Sequence, residues 1–514
     1  MRDTSQQSLL RRKRRIQKRL RPRTFKARAR PMFTARNIHY EVADRGRAVC
    51  HGGIGAVHAL ARTVGLIDAI DRNVRVLKVH LPYHESDHVL NIAYNILCDG
   101  DCLQDLERLR NDEAYLDALG AQRIPDPTTA GDFCRRFESA DQVDALMDAI
   151  NSVRAEVWKQ QPPSFFDRAI IDADGTIAPT DGECKKGMDI SYDGQWSYHA
   201  LVVSLANTRE PLFLLNRPGN RPSHENAAEY LDKTIVLMRD AGFRFILLRG
   251  DTDFSQTAYL DRWDDQKDVG FLFGIDASQT LKVRAELLDK SAWKELQRPP
   301  RYDVAIEERA KPINVKEQII AERCFKNLKL RCEHVAEIEY QPVKCNRPYR
   351  VIICRKTIDV EVGQETLWDE YRYFFYITND RVTPAQELVL QANQRCNQEN
   401  LIEQLKNGVN AMKLPVDNLV SNWAYMVMAS LAWSLKAWWG LMLPAEPGRW
   451  HERHTREKQD IVRMEFKRFV SGVIRLPCQI VRSGRRLIYR LLNYNPWHSV
   501  LLRGVAAWRT RTQC

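Results

Sequence analysis

Four aspartates and one glutamate have the spacing of a carboxylate site. Asp172 and Asp174 lie two apart in the otherwise apolar run Ala169-Ile-Ile-Asp-Ala-Asp174. On a strand they point to one face. Asp251 and Asp253 follow the apolar segment Phe243–Leu248, across Arg249-Gly250, and strand ends are where open sheets bind ligands. Glu399 lies between Arg395 and Lys406, and on a continuous helix all three share a face, at offsets of four and seven. Convergent carboxylates are hard oxygen ligands suited to Mg²⁺-like ions. Two such ions roughly 4 Å apart activate a water and stabilise a leaving oxygen in phosphodiester cleavage. The same residues admit plainer roles. Asp172 and Asp174 suit hydrogen-bonded structural groups. A helix cap suits Asp253 better than Asp251, and a surface salt-bridge ladder suits residues 395–406.

The elements that must position these acids follow from periodicity. Residues 168–174, 199–207 and 211–216 read as strands, the last two joined by Thr208-Arg209-Glu210. A helix over 225–241, a strand over 243–248, a helix from about Ser255 and a strand over 270–275 follow. Three strands, helix, strand, helix, strand is an α/β layer whose opening strands are antiparallel. Residues 276–370 change texture: a charged helix near 281–296 precedes strands 334–340 and 349–355. The α/β pattern resumes at Tyr371–Thr378, with a long helix expected over 384–413. The expected divisions are a disordered basic arm (1–40), a helical DNA-binding region (41–160), an α/β catalytic domain in two parts (161–276 and 371–443) around a β-rich insertion (277–370), and a basic C-terminal region (444–514).

Charge points to a polyanionic partner. The chain has 78 Lys and Arg against 66 Asp and Glu, a surplus that favours nucleic acid or an acidic membrane surface. Between Arg11 and Arg30, twelve of twenty residues are basic and none is acidic; such a run is expected to be unstructured and to neutralise phosphates. Arg135 and Arg136 sit on a short helix expected to be capped by Thr128 or Thr129, and Arg482, Arg485, Arg486 and Arg490 cluster near the C-terminus. No export signal or membrane span is expected: Lys436 and three serines interrupt the best apolar stretch, Trp423–Leu443. Twelve cysteines without an export signal read as reduced thiols in a cytoplasm. His84, His88, Cys98 and Cys102 have zinc-compatible offsets, though the tight spacing of a zinc ribbon is absent.

Taken together the motifs resemble bacterial insertion-sequence transposases of the DDE type, and specifically the insertion-sequence 1380 group. The first acid of that group lies in Asp-x-Thr, here Asp174-Gly-Thr176. Its second follows the fourth strand, here Arg249-Gly-Asp251-Thr-Asp-Phe254. Its third lies in a Tyr-x₂-Arg-x₃-Glu-x₆-Lys helix, here Arg395, Glu399 and Lys406. Asn216-Arg-Pro-Gly-Asn220 and Phe375-Tyr-Ile-Thr-Asn379 are also similar, and the match covers roughly residues 50 to 490. Two positions depart: Ala392 replaces the tyrosine, and Asp253 stands where glycine is usual.

The resemblance implies a ribonuclease H-like catalytic domain interrupted by a β-rich insertion. It implies Asp174, Asp251 and Glu399 as catalytic ligands of two Mg²⁺ ions, with Mn²⁺ as a substitute. Asp174 and Glu399 would hold one ion, and Asp174 and Asp251 the other. Arg395 and Lys406 would hold DNA phosphates, with Arg135, Arg136, Arg485 and Arg486 as further DNA contacts. Trp293 or Trp368 would be candidates for holding an unstacked base, although core packing suits either better. The expected reaction is cleavage at terminal inverted repeats and joining of the 3′-hydroxyl to target DNA, by a nucleoid-associated homodimer. A nuclease of the same fold that does not join strands, and a non-catalytic DNA-binding descendant, remain alternatives.

Overall fold

The computed structural model describes residues 2–20, 47–299, 314–323, 325–362, 365–484 and 486–511. Contacts divide the chain into a helical unit (residues 1–161, 184–186 and 404–514) and a sheet unit (residues 162–183 and 187–403). The break falls after Glu403, earlier than the division expected near residue 443. The cause is the Leu419–Met442 helix, buried continuously from Ser421 to Met442. A helix apolar on all sides must be enclosed by other helices, and this one packs on Glu85–Leu97, Ala140–Trp158 and His451–Arg463. Its single cation is accommodated: Lys436 Nζ donates to the Val462 carbonyl at 3.0 Å and lies 3.6 Å from the Trp433 ring centroid.

Elsewhere in the helical unit, the basic N-terminal segment departs from the disorder expected of it. It forms the helix α1 (Arg2–Leu20); residues 21–40 lie outside the described residues. Strand β1 (Ala48–Val49) pairs with Cys478–Ser483, which forms a hairpin with Arg486–Leu491. The Pro127–Arg135 helix is capped by Asp126, whose side chain accepts from the Thr129 amide at 2.9 Å. Pro127 follows as the first helical residue, where its missing amide hydrogen costs nothing. The threonines expected to cap therefore lie inside the helix. His88 stacks on Phe133 at 4.3 Å, and Cys98 is buried. Among the described residues no three His, Cys, Asp or Glu side chains converge as a metal site.

The sheet unit is one mixed sheet with helices. Its strands are β2 (Ala169–Pro179), β3 (Asp189–Ile190), β4 (Trp196–Leu205), β5 (Glu210–Pro218), β6 (Ile246–Gly250), β7 (Val269–Ile275), β8 (Lys294–Glu295), β9 (Lys326–Tyr340), β10 (Tyr349–Val362) and β11 (Glu365–Thr378). They run β3-β4-β2-β6-β7-β11-β10-β9-β8, with β5 also paired to β4. Only β2–β6 and β6–β7 are parallel. The antiparallel opening strands match the sequence reading.

The β-rich insertion does not form a sheet of its own. Through β11, paired to β7 as well as β10, its strands continue the sheet that carries the acids. One core spans both parts: Leu247 and Leu272 pack with Val335, Ile352, Cys354, Leu388 and Val389. Each such burial contributes about 1.5–3 kcal/mol, so the insertion is integral to this unit's stability. Asn379 fixes the junction. Its side chain accepts from the Phe271 amide at 2.9 Å and donates to the Val269 carbonyl at 3.1 Å.

Candidate active site

Asp172 and Asp174 share a face of β2, as the period of two requires, but their surroundings separate them. Asp172 is directly opposite Arg249 in the parallel β2–β6 register. Arg249 clamps both its oxygens, at 2.7 and 2.8 Å, and both side chains are buried. Burial pushes the Asp172 carboxyl upward against the pull of Arg249. Asp172 is thus occupied by an internal ion pair. Arg249 also donates to the Gln391 carbonyl, tying β6 to the end of the Ala385–Asn393 helix.

Asp174 faces a different cation. Arg395 Nη1 donates to its Oδ2 at 3.0 Å and lies 4.0 Å from Asp251 Oδ2. Asp251 arrives directly after β6 and opens the turn Thr252–Phe254, its other oxygen accepting from the Asp253 amide at 3.0 Å. The cap is therefore Asp251, not Asp253. Glycines permit this close approach: a Cβ on Gly250 would come within 2.5 Å of Phe254 Cβ, and one on Gly274 within 2.9 Å of the Thr252 nitrogen.

Burial raises Asp174 to about 6, with the charges of Asp251 and Glu399 adding and Arg395 opposing. Burial likewise raises Asp251. Loss of solvent is the larger cause in both, and the Arg395 guanidinium offsets part of it. Both side chains end in hard oxygen donors of the type that bind divalent cations.

The third segment departs from expectation. The long helix expected over 384–413 ends at Asn393, turns through Gln394 and Arg395, and restarts as Cys396–Glu403. Arg395 is in the break, which directs it to the aspartates. In the restarted helix Gln398 is buried: it bonds the Ser204 hydroxyl and donates to the Val202 carbonyl at 3.0 Å. Its neighbour Glu399 is exposed. Lys406 lies in the π-helical turn Gln404–Gly408, which follows the Cys396–Glu403 helix that carries Glu399. Ala392 packs at the edge of the sheet unit's core.

The other sequence candidates have mixed outcomes. Arg135 pairs with Asp132 and Asp417 at 2.9 and 2.7 Å, while Arg136 and Arg486 are exposed. Arg485 and the side chain of Trp368 lie outside the described residues. Trp293 stacks on the Arg355 guanidinium, 4.0 Å from its ring centroid. In the Asn216–Asn220 motif, buried Arg217 donates to the carbonyls of His199, Pro222, Ser223 and Glu225, so it orders a loop. Sequence reasoning missed Arg249 and Gln398. An arginine following an apolar run, in a sheet whose neighbouring strand carries an aspartate, was the available signal for the first; the second had none.

Asp174, from the middle of β2, and Asp251, just after β6, thus converge on Arg395 in a mixed sheet. The family model described as Transposase DDE domain group 1 matches residues 32–512, and the chain belongs to that family. Moving DNA segments is its class of activity. Among solved structures, the chain is similar to a piggyBac transposase synaptic complex with hairpin DNA. The TM-score is 0.36 and the identity 7%, with 84% of each chain covered. No curated protein matches the chain in sequence. Among the described residues no helix is long and apolar enough to cross a membrane.

Proposed function

We propose that this chain binds the terminal inverted repeats of a DNA element, cleaves its ends and joins the freed 3′-hydroxyl to target DNA. The reading is carried by the convergence of Asp174 and Asp251, from the middle of β2 and the end of β6, on one guanidinium. The sheet order β5-β4-β2-β6-β7 and its strand directions support a ribonuclease H-like domain, and the motif order supports the insertion-sequence 1380 group. By the same reading the protein acts as a homodimer on double-stranded DNA in a bacterial cytoplasm.

Asp174 and Asp251 would hold divalent cations, two Mg²⁺ with Mn²⁺ as a substitute, and Glu399 would complete the set. Such ions, when bound, activate a water and stabilise the leaving oxygen. The chain's own contribution is positioning. Arg249 holds Asp172 out of the reaction, Gln398 anchors the helix that presents Glu399, and Arg395 exchanges its carboxylate partners for a DNA phosphate. Lys406, Arg135, Arg136, Arg485 and Arg486 are assigned to DNA contacts outside the carboxylates, within the helical unit.

Inverted repeats flanking the coding DNA supply the substrate for the test. Wild-type protein with Mg²⁺ is expected to nick and join these ends, whereas Asp174→Asn keeps DNA binding and loses cleavage by on the order of 10³-fold, the scale for losing one electrostatic stabiliser. An active Asp174→Asn variant sinks the assignment. Nicked ends that are never joined would identify the nuclease alternative.

A further inference from the structure

We infer that α1 and the C-terminal hairpin form one platform that grips duplex DNA through its phosphates, independently of sequence. The inference rests on the DNA reading above. Along α1, Leu9, Arg12 and Ile16 are half-buried, at offsets of three and seven. They mark its docked face. Arg12 Nη1 donates to the carbonyls of Leu491 and Asn493, at 2.9 and 2.8 Å, where the hairpin's second strand ends. Ile16 lines a groove of about 410 Å³ together with Leu492, Tyr494, Arg15 and Arg19.

Docking in this way turns the opposite face outward. Arg11, Arg14 and Lys18 are exposed there, their offsets of three, four and seven making one stripe, and Arg15, exposed at the rim of the groove, borders it. Among the described residues no acidic side chain pairs with them, nor with exposed Arg486 and Arg490 on the hairpin. Arg482 differs, being held by Asp117 at 2.7 Å. Like charges at helical spacing repel and weaken the helix that carries them. A polyanion removes that repulsion. The stripe spans about 10 Å, the length of about three phosphates along one strand of a duplex. Lys and Arg contacts to phosphate position a protein without reading bases, so the surface suits target DNA rather than the repeats. A membrane is the poorer partner because it requires an exposed apolar helix face, whereas Leu9 and Ile16 lie on the docked side and, among the described apolar residues of α1, Leu10 alone is exposed.

The test uses the full chain with Arg11→Ala, Arg14→Ala, Arg15→Ala and Lys18→Ala combined. Alanine favours helix, so circular dichroism should show no loss of helix. Anisotropy binding to a random-sequence duplex, between about 50 and 200 mM salt, gives the slope of log affinity against log salt. Each lost phosphate contact should reduce that slope by about 0.9, so a fall of two to four is expected, on every duplex alike. Arg12→Ala, which frees the docked face and leaves the stripe, should also lower the slope. An unchanged slope in the fourfold variant, or tighter binding to phosphatidylserine vesicles or double-stranded RNA than to duplex DNA, overturns the platform while the transposase reading stands. Wild-type protein that binds no duplex at all overturns both.

Discussion

Burial shifts ionisable side chains of opposite kinds in parts of the helical unit and at the candidate site of the sheet unit. In the helical unit the shifted groups include bases: burial lowers His88 and His498 to about 4, and Lys458 to about 8. At the candidate site of the sheet unit they are acids: burial raises Asp174 to about 6 and shifts Asp172 and Asp251 upward too. A buried histidine that stays neutral is a packing solution, and His88 stacked on Phe133 is one. The raised carboxylates Asp174 and Asp251 instead face one shared guanidinium, that of Arg395, and it is on them that the proposed cation binding rests.

The contrast is sharpest between two aspartates of one strand. Asp174→Asn should lower cleavage by on the order of 10³-fold and leave urea stability unchanged or higher, because it removes a disfavoured charge. Asp172→Asn should instead strand Arg249 in the interior, costing about 3–5 kcal/mol, read as a lower urea midpoint. If the two variants behave alike, the division of roles on β2 is wrong.

Acid separates the units next. Between pH 6.5 and about 4 the folded helical unit keeps His88 neutral while the unfolded chain takes the proton, so stability falls as pH falls. Between about 6 and 3.8 the folded sheet unit protonates Asp174 while the unfolded chain does not, so its contribution rises as pH falls. Hydrogen exchange at pH 6.5 and 4.5, corrected for intrinsic rates, should show protection falling in Glu85–Leu97 and rising in β2 and β6. Movement of both in the same direction would break the comparison. The smallest effect is a local one. Asp126→Ala should cost about 1 kcal/mol, confined to exchange in Pro127–Arg135.

How much was legible in the sequence varied with the range of the forces involved. The alternation and apolar runs that made β2, β4, β5, β6 and β7 are local, and their order was readable. The pairing of β11 with β7 is not local, so the insertion's membership of the same sheet could not be read. Nor could the break at Gln394–Arg395, where neither Gly nor Pro marks the interruption. Nor could the π-turn at Gln404–Gly408, whose residues carry no marker of it. The α1 helix was misjudged for another reason: its charge repulsion argues for disorder, and the contacts that offset it come from Leu491 and Asn493. The acids themselves were legible from residue type and motif; Asp174 was preferred to Asp172 through the Asp-x-Thr resemblance, and the Arg249–Asp172 ion pair adds a physical reason that the sequence could not.

Arg249 has a consequence for how such a chain can change in length. It stands on β6 just before Asp251, holds Asp172 on the strand of Asp174, and grips Gln391 just before the segment of Glu399. The three acid-bearing segments thus share one fixed reference point. Their relative placing depends on that point and not on the lengths of chain that join them. New residues can be added between the acids, as the β9–β10 hairpin is, without carrying an error of position into the site.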